Sequence, residues 1–142
     1  MPHPTLDLKR TYLALRRALE HVIKPFGFNG GQFDVLQLLM QQSELEHREL
    51  QKQLAIASPT LTNVIDVLEK NGHVVRYPSG HDARVKMIAM TDSARAVCYS
   101  KAFCDAGDTV VDQMFAGFSA DERQTFLRLL ARVHGNLEKI AG

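Results

Sequence analysis

Ser58-Pro59-Thr60-Leu61-Thr62-Asn63-Val64-Ile65-Asp66-Val67-Leu68-Glu69-Lys70-Asn71-Gly72, with the two short runs that follow it, decides the fold. At about 100° per residue, Leu61, Val64, Ile65 and Leu68 fall on one helical stripe. Pro59, Asn63, Asp66, Val67 and Lys70 lie opposite, with Thr60 and Thr62 at the flanks. Ser58 suits an N-cap and Pro59 the first helical position, while Asn71-Gly72 supplies a left-handed close. Val74-Val75-Arg76-Tyr77 and Val85 to Met90 read as strands, joined by a loop holding His81, Asp82 and Arg84. A short helix with a polar, uncharged start and a basic hairpin behind it is the sequence form of a winged helix-turn-helix. That module sets its helix in a DNA major groove and its hairpin tip beside the phosphates.

Working outward, Leu8, Tyr12, Leu15, Leu19, Val22 and Phe26 recur three and four residues apart, which predicts a helix over about 5–24, ended by Pro25 and Gly27. Further helices are expected over about 30–42 and 46–55. On the C-terminal side, Thr91 caps a single long helix reaching about Phe115, apolar on two sides. A last helix opens on the capping box Ser119/Glu122 and carries Phe126, Leu129, Leu130, Val133, Leu137 and Ile140. The expected fold is mainly α with a small β-hairpin wing and about six helices in one domain, 1–142. Residues 28–91 form the winged unit; 1–27 and 92–142 form a helical dimerisation region. The outer helices carry more apolar surface than that unit can cover, so a second copy is the economical cover. Two-fold pairing would set the reading helices about 34–36 Å apart and favour a palindromic site.

Composition narrows the class. At 142 residues, 45% hydrophobic and 23% charged, the chain can bury a real core. No apolar run approaches a membrane span, and Met1-Pro2-His3-Pro4 lacks the order of a secretory signal. Two cysteines make no disulfide framework, so a cytoplasmic location is expected. The formal net charge is only +1, so any basic footprint is local. From Lys70 to Lys86 it comprises Lys70, Arg76, Arg84 and Lys86 against the single acid Asp82.

These residues resemble the MarR (multiple antibiotic resistance regulator) family of winged-helix transcriptional regulators. The resemblance is carried by Gln32-Phe33-Asp34-Val35-Leu36, Glu49-Leu50, Leu54-Ala55, Pro59 to Thr62, Leu68 to Gly72, Val75-Arg76, Asp82-Ala83-Arg84 and Met90-Thr91. It implies a homodimeric repressor of a palindromic operator in double-stranded DNA, relieved by a small-molecule effector. By that pattern Ser58, Pro59, Thr60, Thr62 and Asn63 read the major groove. Asp82 orders the wing, and Arg84 reaches the backbone or minor groove. Arg76, His81 and Lys86 join them as DNA-side donors. The family commonly has arginine where this chain has Asn63 and Val67. Losing two charges there weakens the salt-dependent phosphate contribution, and asparagine favours adenine. The resemblance implies an effector pocket between the dimer helices and the winged unit; there Tyr12 and Arg16, a ring and a cation on an apolar wall, are the candidates for a small aromatic acid, with a solvated or salt-bridged Arg16 as the alternative.

Other chemistries find little support. On one continuous helix Cys98 and Cys104 would point about 120° apart, against an intrahelical disulfide, and Cys104 reads as a small core residue. Peroxide-sensing relatives place the reactive cysteine in the first helix, which here has none. The six histidines show no metal-ligand spacing, and no nucleophile–base motif or glycine-rich phosphate loop is present. No metal, cofactor, membrane partner or enzymatic activity is expected. The competing reading is a dimeric winged-helix protein-interaction module with weak or lost DNA binding.

Overall fold

The computed structural model describes residues 2–142, in two units, one ending at Asp108 and the other running from Thr109 to Gly142. The order is α1 (Pro4–Ile23), a 3-10 turn (Lys24–Phe26), α2 (Gly30–Gln41), β1 (Glu44–Glu46), α3 (His47–Leu54), α4 (Ser58–Lys70), β2 (Val74–Pro78), β3 (Lys86–Met90), α5 (Asp92–Cys98), α6 (Lys101–Met114) and α7 (Ala120–Ala141). The mainly helical class with a small antiparallel sheet is thus as expected. No described helix is long and apolar enough to cross a membrane.

In the first unit the core forms where α2, α3 and α4 turn their apolar stripes onto the sheet. Leu36, Leu50, Leu61, Ile65, Leu68 and Ile88 are each 0% exposed. α2 starts on a capping box that the sequence reading passed over: Asn29 Oδ1 accepts from the Gln32 amide at 2.9 Å, and Gln32 Oε1 accepts from the Asn29 amide at 3.0 Å. The pairing leaves the buried Gln32 satisfied. α4 begins one residue earlier than expected. Ala57 is its N-cap, without a side-chain cap, so Ser58 and Pro59 take the first two helical positions and the Ser58 hydroxyl stays at the surface. Gly72 then adopts φ +79°, as the left-handed close requires.

The hairpin is part of a three-stranded sheet of order β1-β3-β2, with Leu45 opposite Ile88 in one ladder and Arg76 opposite Ile88 in the other. β1 escaped the sequence reading because Glu44-Leu45-Glu46 gives only one inward side chain, too short a run for period-2 patterning.

The expected long helix after Thr91 is two helices. Tyr99 and Ser100 break it: the Ser100 amide turns back to the Val97 carbonyl (3.1 Å), and its hydroxyl donates to the same carbonyl (2.6 Å) while accepting from the Phe103 amide (3.2 Å). Ser100 therefore caps α6, and the Tyr99 hydroxyl donates to the Met40 carbonyl at the end of α2 (2.9 Å). The break rotates the register and corrects the cysteine reading. Cys98 is the buried thiol and Cys104 the exposed one, its Sγ 3.5 Å from the Cys98 carbonyl. In the second unit Phe115, Phe118 and Phe126 pack edge to face, with the Arg123 guanidinium 4.6 Å from the Phe115 ring centre.

Burial pushes the Cys98 thiol up to about 11. At pH 8 only ~0.1% of it is thiolate, the form that reacts. A chromogenic disulfide reagent is expected to titrate Cys104 promptly and Cys98 only after unfolding. Two equally fast thiols in the native protein would contradict this burial.

Candidate nucleic-acid interface

With Leu61, Ile65 and Leu68 locked inward, α4 turns Ser58, Pro59, Thr60 and Asn63 to solvent. Val67, one turn beyond Asn63, is 44% exposed. The end of the helix is fixed by Thr91, whose hydroxyl donates to the Gly72 carbonyl (2.6 Å) and accepts from the Ala94 amide (3.2 Å), tying α4 to α5. Thr62 is half-buried, its Oγ1 3.4 Å from Nε2 of His47 in the first turn of α3. Sequence reasoning had not placed His47 at this surface. Nothing in its local pattern could have, because the contact spans fifteen residues.

The wing is ordered by one carboxylate. Asp82 Oδ1 accepts from the Arg84 backbone amide (3.0 Å) and from Nε (3.2 Å), and Oδ2 accepts from Nη2 (3.2 Å). The Arg84 side chain is nevertheless 91% exposed, with its far side open to solvent. Hydrogen bonds from that guanidinium, then from its backbone amide, hold the Asp82 carboxyl below its ordinary 3.8. A lowered folded value means that the pair is intact above 3.8 and dissolves as pH falls through the lower folded value, so it is fully formed at neutral pH. His81 is exposed, its amide donating to Ser79 Oγ (3.2 Å), and Lys86 is exposed at the start of β3.

Arg76 departs from its expected role. Its Nη2 donates to Asp66 Oδ1 at 2.6 Å and Glu69 Oε1 at 2.9 Å, and its Nε to Glu69 Oε2 at 3.4 Å. Hydrogen bonds to Glu69 first and Asp66 second raise the Arg76 pKa, and the same contact lowers that of Glu69. Two carboxylates already neutralise this guanidinium, so it acts as a strut between β2 and α4 rather than a cation free for phosphate. Asp66, an acid that phosphate would repel, faces the strut instead.

Two open hollows join these parts. One, of about 460 Å³, is lined by His47, Thr62, Arg76, Tyr77, Pro78 and Lys86. The other, of about 510 Å³, shares His47 and Lys86 and continues to Asp82 and Arg84. The surface from Thr62 of α4 to the wing tip is therefore continuous.

The effector candidates are placed differently. Arg16 is ion-paired with Asp34 of α2 and, at 3.4 Å, with Glu20. Gly30 passes so close that a Cβ there would overlap the Arg16 guanidinium and the Glu20 carboxylate. A ligand carboxylate would have to displace Asp34, so Arg16 is not the free cation that the aromatic-acid reading requires. Tyr12 is 57% exposed, and neither residue lines the nearby hollow of about 220 Å³, which Leu19, Ile23, Phe33, Met40, Phe103 and Cys104 enclose in part.

A helix held by its apolar back, a sheet-based wing and a polar surface linking them define a winged helix-turn-helix, DNA-binding class of regulator. A family model described as the MarR family matches residues 28–86. YkoM of Bacillus subtilis (strain 168), an uncharacterized HTH-type transcriptional regulator, is 30% identical over 131 residues, spanning 89% of this chain and 84% of the relative. A mutant of MarR from E. coli complexed with operator DNA is 26% identical, with a TM-score of 0.80 over 92% of this chain and 93% of that one. BpsR of Bordetella bronchiseptica, whose DNA binding is regulated by 6-hydroxynicotinic acid, shares the fold at 21% identity, with a TM-score of 0.79 over 93% of each chain. The chain belongs to the MarR family of transcriptional regulators.

Replacing Asp82 with alanine is expected to speed hydrogen exchange at the Arg84 amide and leave the melting temperature unchanged, since both partners are at the surface. A lower melting temperature with unchanged exchange would mean that the pair holds the core instead of the wing.

Proposed function

We propose that this protein is a homodimeric repressor that binds a palindromic operator in double-stranded DNA and is released by a small organic ligand. The observation that carries the reading is the unbroken surface running from the solvent-facing start of α4, through Thr62, His47 and Lys86, to Arg84. Ser58, Pro59, Thr60, Thr62 and Asn63 read the major groove in this proposal. Arg84, tied down by Asp82 yet exposed, takes the backbone or minor groove, and His81 and Lys86 meet phosphates. Arg76 contributes by positioning α4. The winged unit spans 28–91, and the remaining helices pair the subunits in the cytoplasm.

Pairing is supported by apolar side chains that each unit leaves uncovered. On α1 these are Leu6, Leu8, Tyr12 and Leu13; on α7 they include Leu127, Leu130, Leu137 and Ile140. All but Ile140 are already about half covered, so burying the remainder of one gains on the order of 1 kcal/mol, and a second copy laid on these faces adds many such gains. For the effector, the 220 Å³ hollow beside α2 supports a small, mostly apolar molecule better than the paired Arg16 supports an acid.

The protein-interaction alternative draws on one observation: two positions that commonly carry arginine are Asn63 and Val67, and Arg76 is already neutralised. Selection of bound sites from random duplexes, followed by affinity measurement across salt, separates the two. The repressor reading expects an inverted repeat with half-sites about one turn apart, and log affinity falling steeply with log salt. Arg84→Ala is expected to weaken binding to every duplex and reduce the salt slope by about one unit. No selected sequence and flat, weak binding would favour the alternative, and an unchanged slope would remove Arg84 from the phosphate contacts.

A further inference from the structure

We propose that His47 is a proton-linked phosphate contact: it takes up a proton as a DNA phosphate settles against Thr62, so that affinity for DNA rises as the pH falls. The inference rests on the DNA-binding reading and adds to it a residue and a mode of regulation.

The geometry puts His47 where the two surface hollows meet. It lines the one holding Thr62, Arg76 and Lys86 and the one holding Asp82 and Arg84. Its Nε2 is 3.4 Å from the hydroxyl of Thr62, a residue of the reading helix. A phosphate oxygen that accepts a hydrogen bond from Thr62 therefore lies within reach of the imidazole. Lys86 has no ion-pair partner among the described residues and its side chain is exposed, so the cradle is open to an anion.

The charges around His47 set the direction of the effect. On its own turn and the preceding strand stand Glu44, Glu46, Arg48 and Glu49; Glu46 is paired with Arg48 at 3.5 Å. From α4 comes Thr62, and the next acid, Asp66, is taken by Arg76. β2 presents Arg76 and Tyr77, and β3 presents Lys86. The wing adds Asp82 and Arg84, which neutralise one another. α2 packs behind α3, and its one acid, Asp34, is bound to Arg16. Facing His47 are thus a cation without a counter-ion among the described residues, Lys86, and a guanidinium, Arg76, paired with Asp66 and Glu69. Burial first, and the Arg76 charge second, lower the His47 pKa from its ordinary 6.5.

The free protein therefore holds His47 neutral at physiological pH. A phosphate placed beside it reverses the local field and favours imidazolium, which donates a charge-assisted hydrogen bond. The sign follows from linkage. The bound state holds more protons than the free state in the window between the lowered free value and the raised bound value. Affinity climbs as pH falls through that window and levels off once the free protein is itself protonated, below 6.5. One proton limits the slope to at most about tenfold per pH unit, and the expected readout is a rise in affinity from pH 8 to pH 6 within that limit.

The test uses the full-length protein and the duplex recovered by random-sequence selection. Affinity is measured by fluorescence anisotropy from pH 5.5 to 8.5 at constant ionic strength, and protons are counted calorimetrically in buffers of different ionisation enthalpy. Wild type is expected to bind more tightly at low pH with net proton uptake. His47→Gln is expected to flatten the profile, and His47→Lys to bind tightly and without pH dependence; circular dichroism checks that both are folded. His134→Gln, which removes a histidine of α7 that has no part in the proposed DNA contacts, is expected to keep the slope. A flat wild-type profile, a slope that survives in folded His47→Gln, or one that disappears with His134→Gln overturns the proposal while leaving DNA binding intact. A wild-type protein that binds no duplex at any pH overturns both.

Discussion

The structure depends on holding one helix by its back. α4 can offer Ser58, Thr60 and Asn63 to a partner only because Leu61, Ile65 and Leu68 are wholly withdrawn from water on the other side. That apolar stripe fixes the rotation of the helix about its axis. Its tilt is fixed by two polar ties away from the reading end: Arg76 grips Asp66 and Glu69, and Thr91 grips the Gly72 carbonyl. None of these ties uses the first turn, so the solvent-facing start of α4 is free of the interactions that hold it in place. The Ala57 N-cap fits this logic. A side-chain cap would have engaged a hydroxyl or carboxylate at the tip, whereas here the Ser58 hydroxyl remains uncommitted.

Charge is organised the same way, by pairing rather than by excess. A formal net charge of +1 gives no strong long-range attraction to a polyanion. The buttressing arginines, Arg16 and Arg76, are each neutralised by two carboxylates. Among the described residues, what remains uncompensated on and near α4 is Lys70 at its end, Lys86, the open side of Arg84, and an imidazole whose charge depends on its neighbours. A surface of this kind discriminates through local geometry, and a single proton is then a sizeable fraction of the charge available at the site.

The winged unit was legible because its patterns are local. The stripe in 58–70, the Asn71-Gly72 close, the Thr91 cap and the Ser119/Glu122 box each sit within a few residues, and all lie where their spacing indicates. Hidden features depend on residues far apart in sequence. β1 exists only because β3 offers it a ladder, and His47 meets Thr62 only after α3 and α4 pack. The break at Tyr99-Ser100 is a middle case. Serine and tyrosine are ordinary helix residues, and periodicity runs through them. The tie from the Tyr99 hydroxyl to Met40 and the Ser100 cap outweigh that weak local preference. Arg16 and Arg76 show the same limit: a sequence shows a cation but not the carboxylate that folding brings to it.

The uncovered apolar faces add a thermodynamic consequence to the proposed pairing. Folding of one copy leaves Leu8 and Leu13 on α1 and Leu130, Leu137 and Ile140 on α7 in contact with water. If a second copy covers them, the hydrophobic free energy missing from the isolated chain is recovered only on association, and stability becomes a function of protomer concentration. Two-site recognition then follows from the same surface chemistry. In the proposed dimer each α4 alone would make few charged contacts, but two helices locked one turn apart would bind as a unit, with the second engagement effectively intramolecular. A weakly charged α4 surface and strongly apolar outer helices are complementary in that proposed arrangement, because affinity that one α4 could not supply by charge would be supplied by rigid pairing.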